Sequence, residues 1–464
     1  MRIFICLFLI SSSLFAQTIS KTSNSSSLKP RLVVLTDIST WEPDDHESLI
    51  RLMVHADMYE IEAIIISTGW SIKNVDHVNH FKEIATGVID AYQKDLPNLI
   101  KRSDQHGFSQ DNEKQEIGYW PSADYLKKRT MFGSKLMGMD KIGADNKSEG
   151  SNFIIQLADE DDGRPLWVTF WGGGNTLAQS IWQVQENRSK SEVEAFLKKL
   201  RVYAITDQDR PQKSDFESSS HAWMRYNFSD DLLFIWDECA WKFQNGTGKS
   251  NWSEYEKNIQ NHGKLGSQYP KYKYGVEGDT PSFLHVLPNG LNNPDEPTQA
   301  SWGGYSKWGS GEDNIYSYVN YKGNGYDTCR KYMDHFYPAI FNNFAARMDW
   351  AKEGDGNRNP IVAIDGDQSI DILTKKPLQG TTVVLDASAS SDPDGDTLNY
   401  KWWIQPEAGT YSGTVNIQNS DSNKATLEIP ANSAGKNFHV VCEVTDNGTP
   451  ELTSYRRIIF EPTE

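Results

Sequence analysis

Four short apolar runs constrain this chain more than any other feature: "RLVVLTD" from Arg31, "EIEAIIIST" from Glu60, "PLWVTFWGG" from Pro165 and "LRVYAIT" from Leu200. Each is nearly continuous in apolar character, the pattern of a strand covered on both faces. Between them, "HVNHFKEIATGVIDAYQKDL" and "NTLAQSIWQVQENR" carry helical spacing. Strand followed by helix, repeated, predicts an α/β fold over residues 31–350, a doubly wound and mostly parallel sheet. Ligands of such folds bind beyond the carboxyl ends of the strands.

The pattern changes after "AKEGDGNRNP". Residues 351–359 read as a linker. From Pro360 to Glu464, alternating runs such as "TTVVLDA", "ATLEIP" and "FHVVCEVTDNG" are separated by Gly, Asp, Asn and Pro turns, which predicts an all-β sandwich. "DASASSDPDGDTLNYKWW" with "VVCEVTDNGTP" resembles the polycystic-kidney-disease-like and immunoglobulin-like modules common on secreted carbohydrate-active proteins. That likeness specifies a fold and leaves the sandwich's role open.

At the other end, "MRIFICLFLISSSLFAQ" has a basic start, an apolar run too short to span a bilayer, and small residues before Ala16. Residues 1–16 are therefore expected to be a secretory signal and 17–30 a flexible leader, giving a secreted or periplasmic protein without a membrane anchor. A formal charge of −17 with no basic stretch argues against nucleic acid or anionic membrane as partner. Past the signal, Cys239, Cys329 and Cys442 fit no zinc spacing. A single bridge between Cys239 and Cys329 stays open beside the free-thiol alternative.

The most telling local stretch is "LTDISTWEPDD", where Asp37, Asp44 and Asp45 crowd the turn from strand to helix. Carboxylates gathered this way repel one another unless something positive sits among them, and a helix N-terminus supplies only about half a charge. A hard divalent cation with oxygen ligands, calcium above all, accounts for the cluster. The alternative is a helix cap, which explains Asp44 or Asp45 but not Asp37 at the tip of a buried strand.

This stretch, with the second strand "EIEAIIISTG", resembles the N-terminal signature of the nucleoside hydrolase superfamily. The longer turn after Asp37, together with "HAWMRYNF", "EGDTPSFLHVLPNGL" and "SWGGY", is more similar to its divergent cellulose-binding, nucleoside-hydrolase-like branch. The resemblance implies that Asp37, Asp45, Asp279 and the backbone carbonyl of Asn175 hold Ca2+. It also makes Asp37 the base that takes a proton from the attacking water, and Asp44 a ligand of sugar hydroxyls. Gly278 stands where nucleoside hydrolases commonly carry a histidine, and the "AWMRYN" segment replaces their sugar-binding one. Metal positions match, while leaving-group and ribose positions do not.

The resulting expectation is an exported, calcium-dependent hydrolase of glycosidic bonds in plant or algal polysaccharide fragments. Two alternatives stand beside it: a carbohydrate-binding (cellulose-binding) protein without catalysis, and a true N-ribosyl nucleoside hydrolase. An alkoxide leaving group needs an acid, for which Glu277 and His221 are the candidates; a solvated loop charge and a surface residue are their plain readings. Trp41, Trp70, Trp171, Trp223 and Trp302 fall near the expected carboxyl face, either stacking on pyranose rings or packing in the core. Arg225 and Asn227 complete the candidate sugar contacts, with an ion pair to a nearby Asp the alternative for Arg225.

Overall fold

The computed structural model describes residues 28–72, 79–104, 115–206, 208, 218–311 and 313–464. The expected signal, 1–16, and most of the expected leader lie outside the described residues. The leader's last residues depart from a flexible segment. Lys29 is buried, and its Nζ donates to the Ala56 carbonyl at 3.1 Å and to Gln115 Oε1 at 2.8 Å. No helix among the described residues is long and apolar enough to cross a membrane.

Eight strands form the main sheet: β1 (Arg31–Thr36), β2 (Glu60–Ile66), β3 (Thr130–Phe132), β4 (Leu166–Phe170), β5 (Leu200–Ile205), β6 (Leu233–Asp237), β7 (Lys307–Ser310) and β8 (Tyr316–Val319). Their order is β3-β2-β1-β4-β5-β6-β8-β7, parallel throughout except for the edge strand β7. The alternation of side chains decides the layering. Leu32 and Val34 of β1 enter one core, shared with the helices Asn79–Ser103 and Tyr326–Glu353. Val33 and Leu35 enter the other, against the helices Glu149–Asp159, Asn175–Asn187 and Lys190–Lys199. Both faces are covered, which is why the strands read as unbroken apolar runs. The chain winds outward in both directions from β1, so the carboxyl ends of β1 and β4 flank the switch point where such sheets take ligands.

The C-terminal region is all β. A three-stranded sheet holds β10 (Thr382–Asp386), β13 (Lys424–Glu428) and β12 (Asn416–Gln418), in that order. A four-stranded sheet holds β11 (Asn399–Gly409), β14 (Phe438–Thr445), β15 (Thr453–Phe460) and β9 (Leu373–Lys375). Leu385, Leu427, Trp402, Val440 and Ile458 fill the space between them. This sandwich is docked on the α/β body. Arg457 of β15 is fully buried and donates to the carbonyls of Leu291 at 2.7 Å and Ala300 at 2.8 Å. Trp403 packs on Tyr332 and Phe336, and His335 meets Glu443 at 2.6 Å. Residues 351–359 are packed rather than loose: the long helix runs on to Glu353, and Asn357 donates to Asp446 Oδ2 at 3.0 Å.

Candidate metal and ligand site

The site begins where β1 ends. Thr36 donates its hydroxyl to Asp45 Oδ1 and accepts the Ile38 N–H at 3.0 Å, tying the strand tip to the first turn of the helix Asp44–Met53. Pro43 occupies the N-cap and offers no side-chain cap, and Asp44 Oδ1 accepts the Asp45 N–H at 3.2 Å; that bond accounts for one oxygen of the pair and leaves the gathering with Asp279 unexplained. A second segment, far along the chain, is stapled to the same helix. Glu47 Oε2 accepts the Glu277 N–H at 2.8 Å, and the buried Arg51 pairs with Glu277 Oε2 at 2.6 Å. The staple carries Asp279 to the acidic turn. One ligand atom each from Asp44, Asp45 and Asp279 then lies within 4.8 Å of the others.

That spacing suits a common cation, since two calcium–oxygen bonds of about 2.3–2.6 Å bridge oxygens up to about 5 Å apart. The set holds only carboxylate oxygen, with neither His nor Cys, the donor chemistry of a hard cation. Asp279 is 3% exposed, and its Oδ2 is buried with no hydrogen-bond partner among the described residues. Burial, then Asp45, Asp44, Asp37 and Glu42 in turn, hold the Asp279 carboxyl well above the usual range. Asp45 is pushed the same way by burial and by Asp37, against the Thr36 hydrogen bond. Among the described residues no Lys, Arg or His pairs with Asp45 or Asp279. The orphaned oxygen and the uncompensated charge are what a bound divalent ion relieves.

Asp37 stands beside this triad. Its Oδ2 accepts the Ser71 N–H at 2.7 Å. Gly69 and Gly172 press on it so closely that a Cβ on either would fall 2.4 Å from Asp37 Oδ2 or 2.7 Å from Asp37 N. The tight group is thus Asp44, Asp45 and Asp279, and Asp44, expected on sugar hydroxyls, is one of the three. Asn175, whose backbone carbonyl is the expected ligand, turns its side chain to Gly138, accepting that N–H at 3.2 Å and donating to that carbonyl at 2.9 Å; the residue of the glycine turn that packs on Asp37 is Gly172.

Neither acid candidate is available. Glu277 has φ of +54°, a left-handed backbone that swings its side chain away from Asp279 into a buried cluster with Arg51, Tyr269 and Gln244. His221 is buried, stacked on Trp236 at 5.6 Å and 3.1 Å from Arg225 Nη2. Arg225 takes its plain reading, a buried ion pair with Asp313, its guanidinium 3.9 Å over Trp236. Asn227 is exposed and donates back to the Trp223 carbonyl one helical turn earlier, while Trp223 packs edge-on against Phe228.

The tryptophans divide. Trp171 is fully buried, donating its Nε1 to Ser282 Oγ at 2.8 Å, so it steadies the helix that follows Asp279. Trp302 is buried against Tyr455 at the domain interface. Trp70, half-buried, follows Gly69 at the Asp37 rim, its N–H donating to Gln208 Oε1 at 3.2 Å. Trp41 is 55% exposed one residue before Glu42, with Tyr274 at 6.0 Å and Lys273 Nζ 3.6 Å over its ring. Sequence reasoning passed over Glu42, although it lies inside the acidic stretch. It also passed over Tyr274 and Lys273, whose only signal is their closeness to Asp279. Cys239 and Cys329 do come together, as free buried thiols; burial first, then the hydrogen bond with Cys239, pushes the Cys329 thiol up.

Comparison with known proteins identifies the family and the fold. The family described as the cellulose-binding Sde182, nucleoside hydrolase-like domain matches residues 31–305, and the C-terminal domain of cellulose-binding protein Sde0182 matches residues 382–462. A nucleoside hydrolase-related hypothetical protein from Saccharophagus degradans, associated with carbohydrate metabolism, has a solved structure 35% identical to this chain. The match covers 94% of this chain and all of that one, with a TM-score of 0.81. The PKD domain of the KIAA 1837 protein matches 20% of this chain over 86% of its own length, at 21% identity and a TM-score of 0.16. No curated protein matches the chain.

Proposed function

Because this chain belongs to the cellulose-binding, nucleoside hydrolase-like family, we propose that it is an exported carbohydrate-binding protein that holds glycan at an acidic calcium site. The observation that carries the reading is the convergence of Asp44, Asp45 and Asp279, one oxygen of Asp279 lacking a hydrogen-bond partner among the described residues, with the exposed rings of Trp41 and Tyr274 nearby in the chain. Bound calcium leaves coordination positions that vicinal sugar hydroxyls fill well. This chain's part is then to orient the sugar: Trp41 and Tyr274 present apolar ring faces to pyranose C–H groups at the rim, and Asp37 and Glu42 offer carboxylate acceptors to hydroxyls. The expected signal at residues 1–16 supports a ligand met outside the cytoplasm.

Binding is favoured over O-glycoside hydrolysis because both proton-donor candidates are engaged elsewhere, Glu277 with Arg51 and His221 against Trp236. Hydrolysis stays as the second reading on one observation. Asp37, whose Oδ2 accepts the Ser71 N–H, is a carboxylate that would serve such a reaction as general base. A nucleoside substrate has less support, since Gly278 cannot assist a departing base.

The test is calorimetry of calcium and then of a cello-oligosaccharide series, on the native chain, Asp279→Asn and Asp37→Asn, with chromatography of the sugars after incubation. Calcium-dependent glycan binding that Asp279→Asn abolishes, with the sugars recovered intact, supports the binder. Cleavage by the native chain but not by Asp37→Asn would replace it with the hydrolase. Glycan binding indifferent to calcium and to Asp279→Asn would remove the acidic site from either account.

A further inference from the structure

Away from the acidic turn, the two domains enclose a cleft of about 900 Å³. One side comes from Leu287–Asn289, Trp302, Asn343 and Arg347 of the α/β body. The other comes from residues 359–362, 366–371 and 453–455 on the sandwich side. Its volume is at the upper end of small-ligand pockets.

Three features of the cleft point to one ligand chemistry. The first is an uncharged polar lining. Asn289, Gln368, Ser369 and Ser454 bring amide and hydroxyl groups to the walls. The second is the rim. Ile361 and Ile370 are exposed at 41% and 37%, apolar surface standing beside polar groups, the mixture a pyranose ring presents in return. The third is the charge balance. The fully buried Arg456 fastens Asp367 at 2.6 Å and Ser369 Oγ at 2.8 Å, and Arg347 is paired with Asp57 at 2.7 Å. His55 is buried between the Arg51 carbonyl and Asn343. Among the described residues every cationic side chain on the cleft is thus compensated, Asp371 adds negative charge, and an anionic ligand meets no free positive group there.

We propose that this interdomain cleft is a second glycan-binding site, independent of metal, that takes an uncharged oligosaccharide. The inference rests on the carbohydrate reading above but not on the acidic site. It also gives the sandwich a role in binding, since residues 366–371 form one wall of a site that the α/β body alone leaves open.

Titration calorimetry of the full chain with cellotetraose, in calcium and in EDTA, tests it, with a trigalacturonate control. The variants are Gln368→Trp, which fills the cleft from an exposed loop position, Asn289→Ala, which removes a donor, and Asp279→Asn at the acidic turn. The expected result is one site that survives EDTA and Asp279→Asn, weakens about tenfold or more in Gln368→Trp and measurably in Asn289→Ala, and ignores trigalacturonate. Loss of all cellotetraose binding in EDTA overturns the cleft while leaving the acidic site standing. EDTA-resistant binding unchanged in both cleft variants overturns it as well, as does an absence of binding under every condition. Binding that persists in Asp279→Asn and fails only in Gln368→Trp supports the cleft while removing the acidic site.

Discussion

The two ends of the main sheet both bury charge, and they handle it in opposite ways. At the amino ends of the strands every charge named has a counter-charge: Arg31 meets Glu62 at 2.5 Å, Arg129 meets Glu62 at 3.0 Å, and Arg164 meets Glu60 and Asp162, each at 2.7 Å. At the carboxyl ends Asp37, Glu42, Asp44, Asp45 and Asp279 gather, and the groups that act most strongly on Asp279 are other carboxylates. Burial penalises a lone charge at either end alike. One end is therefore balanced as folded, and the other gathers carboxylates of the kind that could hold a cation.

The sharpest way to break this contrast is at the paired end. Arg31→Met should leave Glu62 buried with only Arg129 for compensation, costing about 3 kcal/mol in urea unfolding. A cost near zero would mean that the amino end is no more balanced than the carboxyl end. Next in size is the ion itself. Calcium at about a hundred times its Kd should stabilise the native chain by about 2.7 kcal/mol, and Asp279→Asn by little or nothing. Equal thermal shifts in the two proteins would take Asp279 out of the site.

The pH dependence should differ in sign between the two ends. Asp162 lies at about 2: burial works against this, but the hydrogen bonds and charge of Arg164 outweigh it. Its folded value is depressed, so its contribution is present above 3.8 and is lost as the pH falls from there toward 2. Asp279 is raised, so its contribution is present below 3.8 and is lost as the pH rises through its folded value. In EDTA, urea midpoints of the native chain should therefore fall relative to Asp279→Asn as the pH climbs from 4 toward neutrality, and those of Asp162→Asn should differ from native chiefly above pH 4. Parallel curves would erase the contrast. The smallest effect belongs to the rim. Trp41→Ala, at an exposed position, should change stability by less than about 0.5 kcal/mol while weakening glycan binding about tenfold.

Much of this arrangement was legible in advance. The unbroken apolar runs announced a sheet covered on both faces, because a strand with helices on either side has no solvent face to keep polar. The crowded aspartates announced an acidic cluster able to hold a metal ion, and Asp44 and Asp45 do meet Asp279. What failed were assignments that depended on where a side chain points. Glu277, two residues from Asp279, looked like a neighbouring acid, and its positive φ turns it to Arg51 instead. Trp171 and Trp302 have the same composition signal as Trp41, but their depth follows from packing on Phe283 and Tyr455, residues distant in sequence.

The sequence alone determined the layered α/β body, the β sandwich after Pro360 and the excess of negative charge at the first strand-to-helix turn, since periodicity and local crowding are properties of neighbouring residues. Only the tertiary structure decided that Asp44 joins Asp45 and Asp279, that Asp37 stands to one side, and that the sandwich closes a cleft against the body. Those outcomes depend on contacts between segments far apart in the chain, such as Arg51 with Glu277 and Arg457 with Leu291. Their geometry is set by how whole elements pack, which no short stretch of the chain contains.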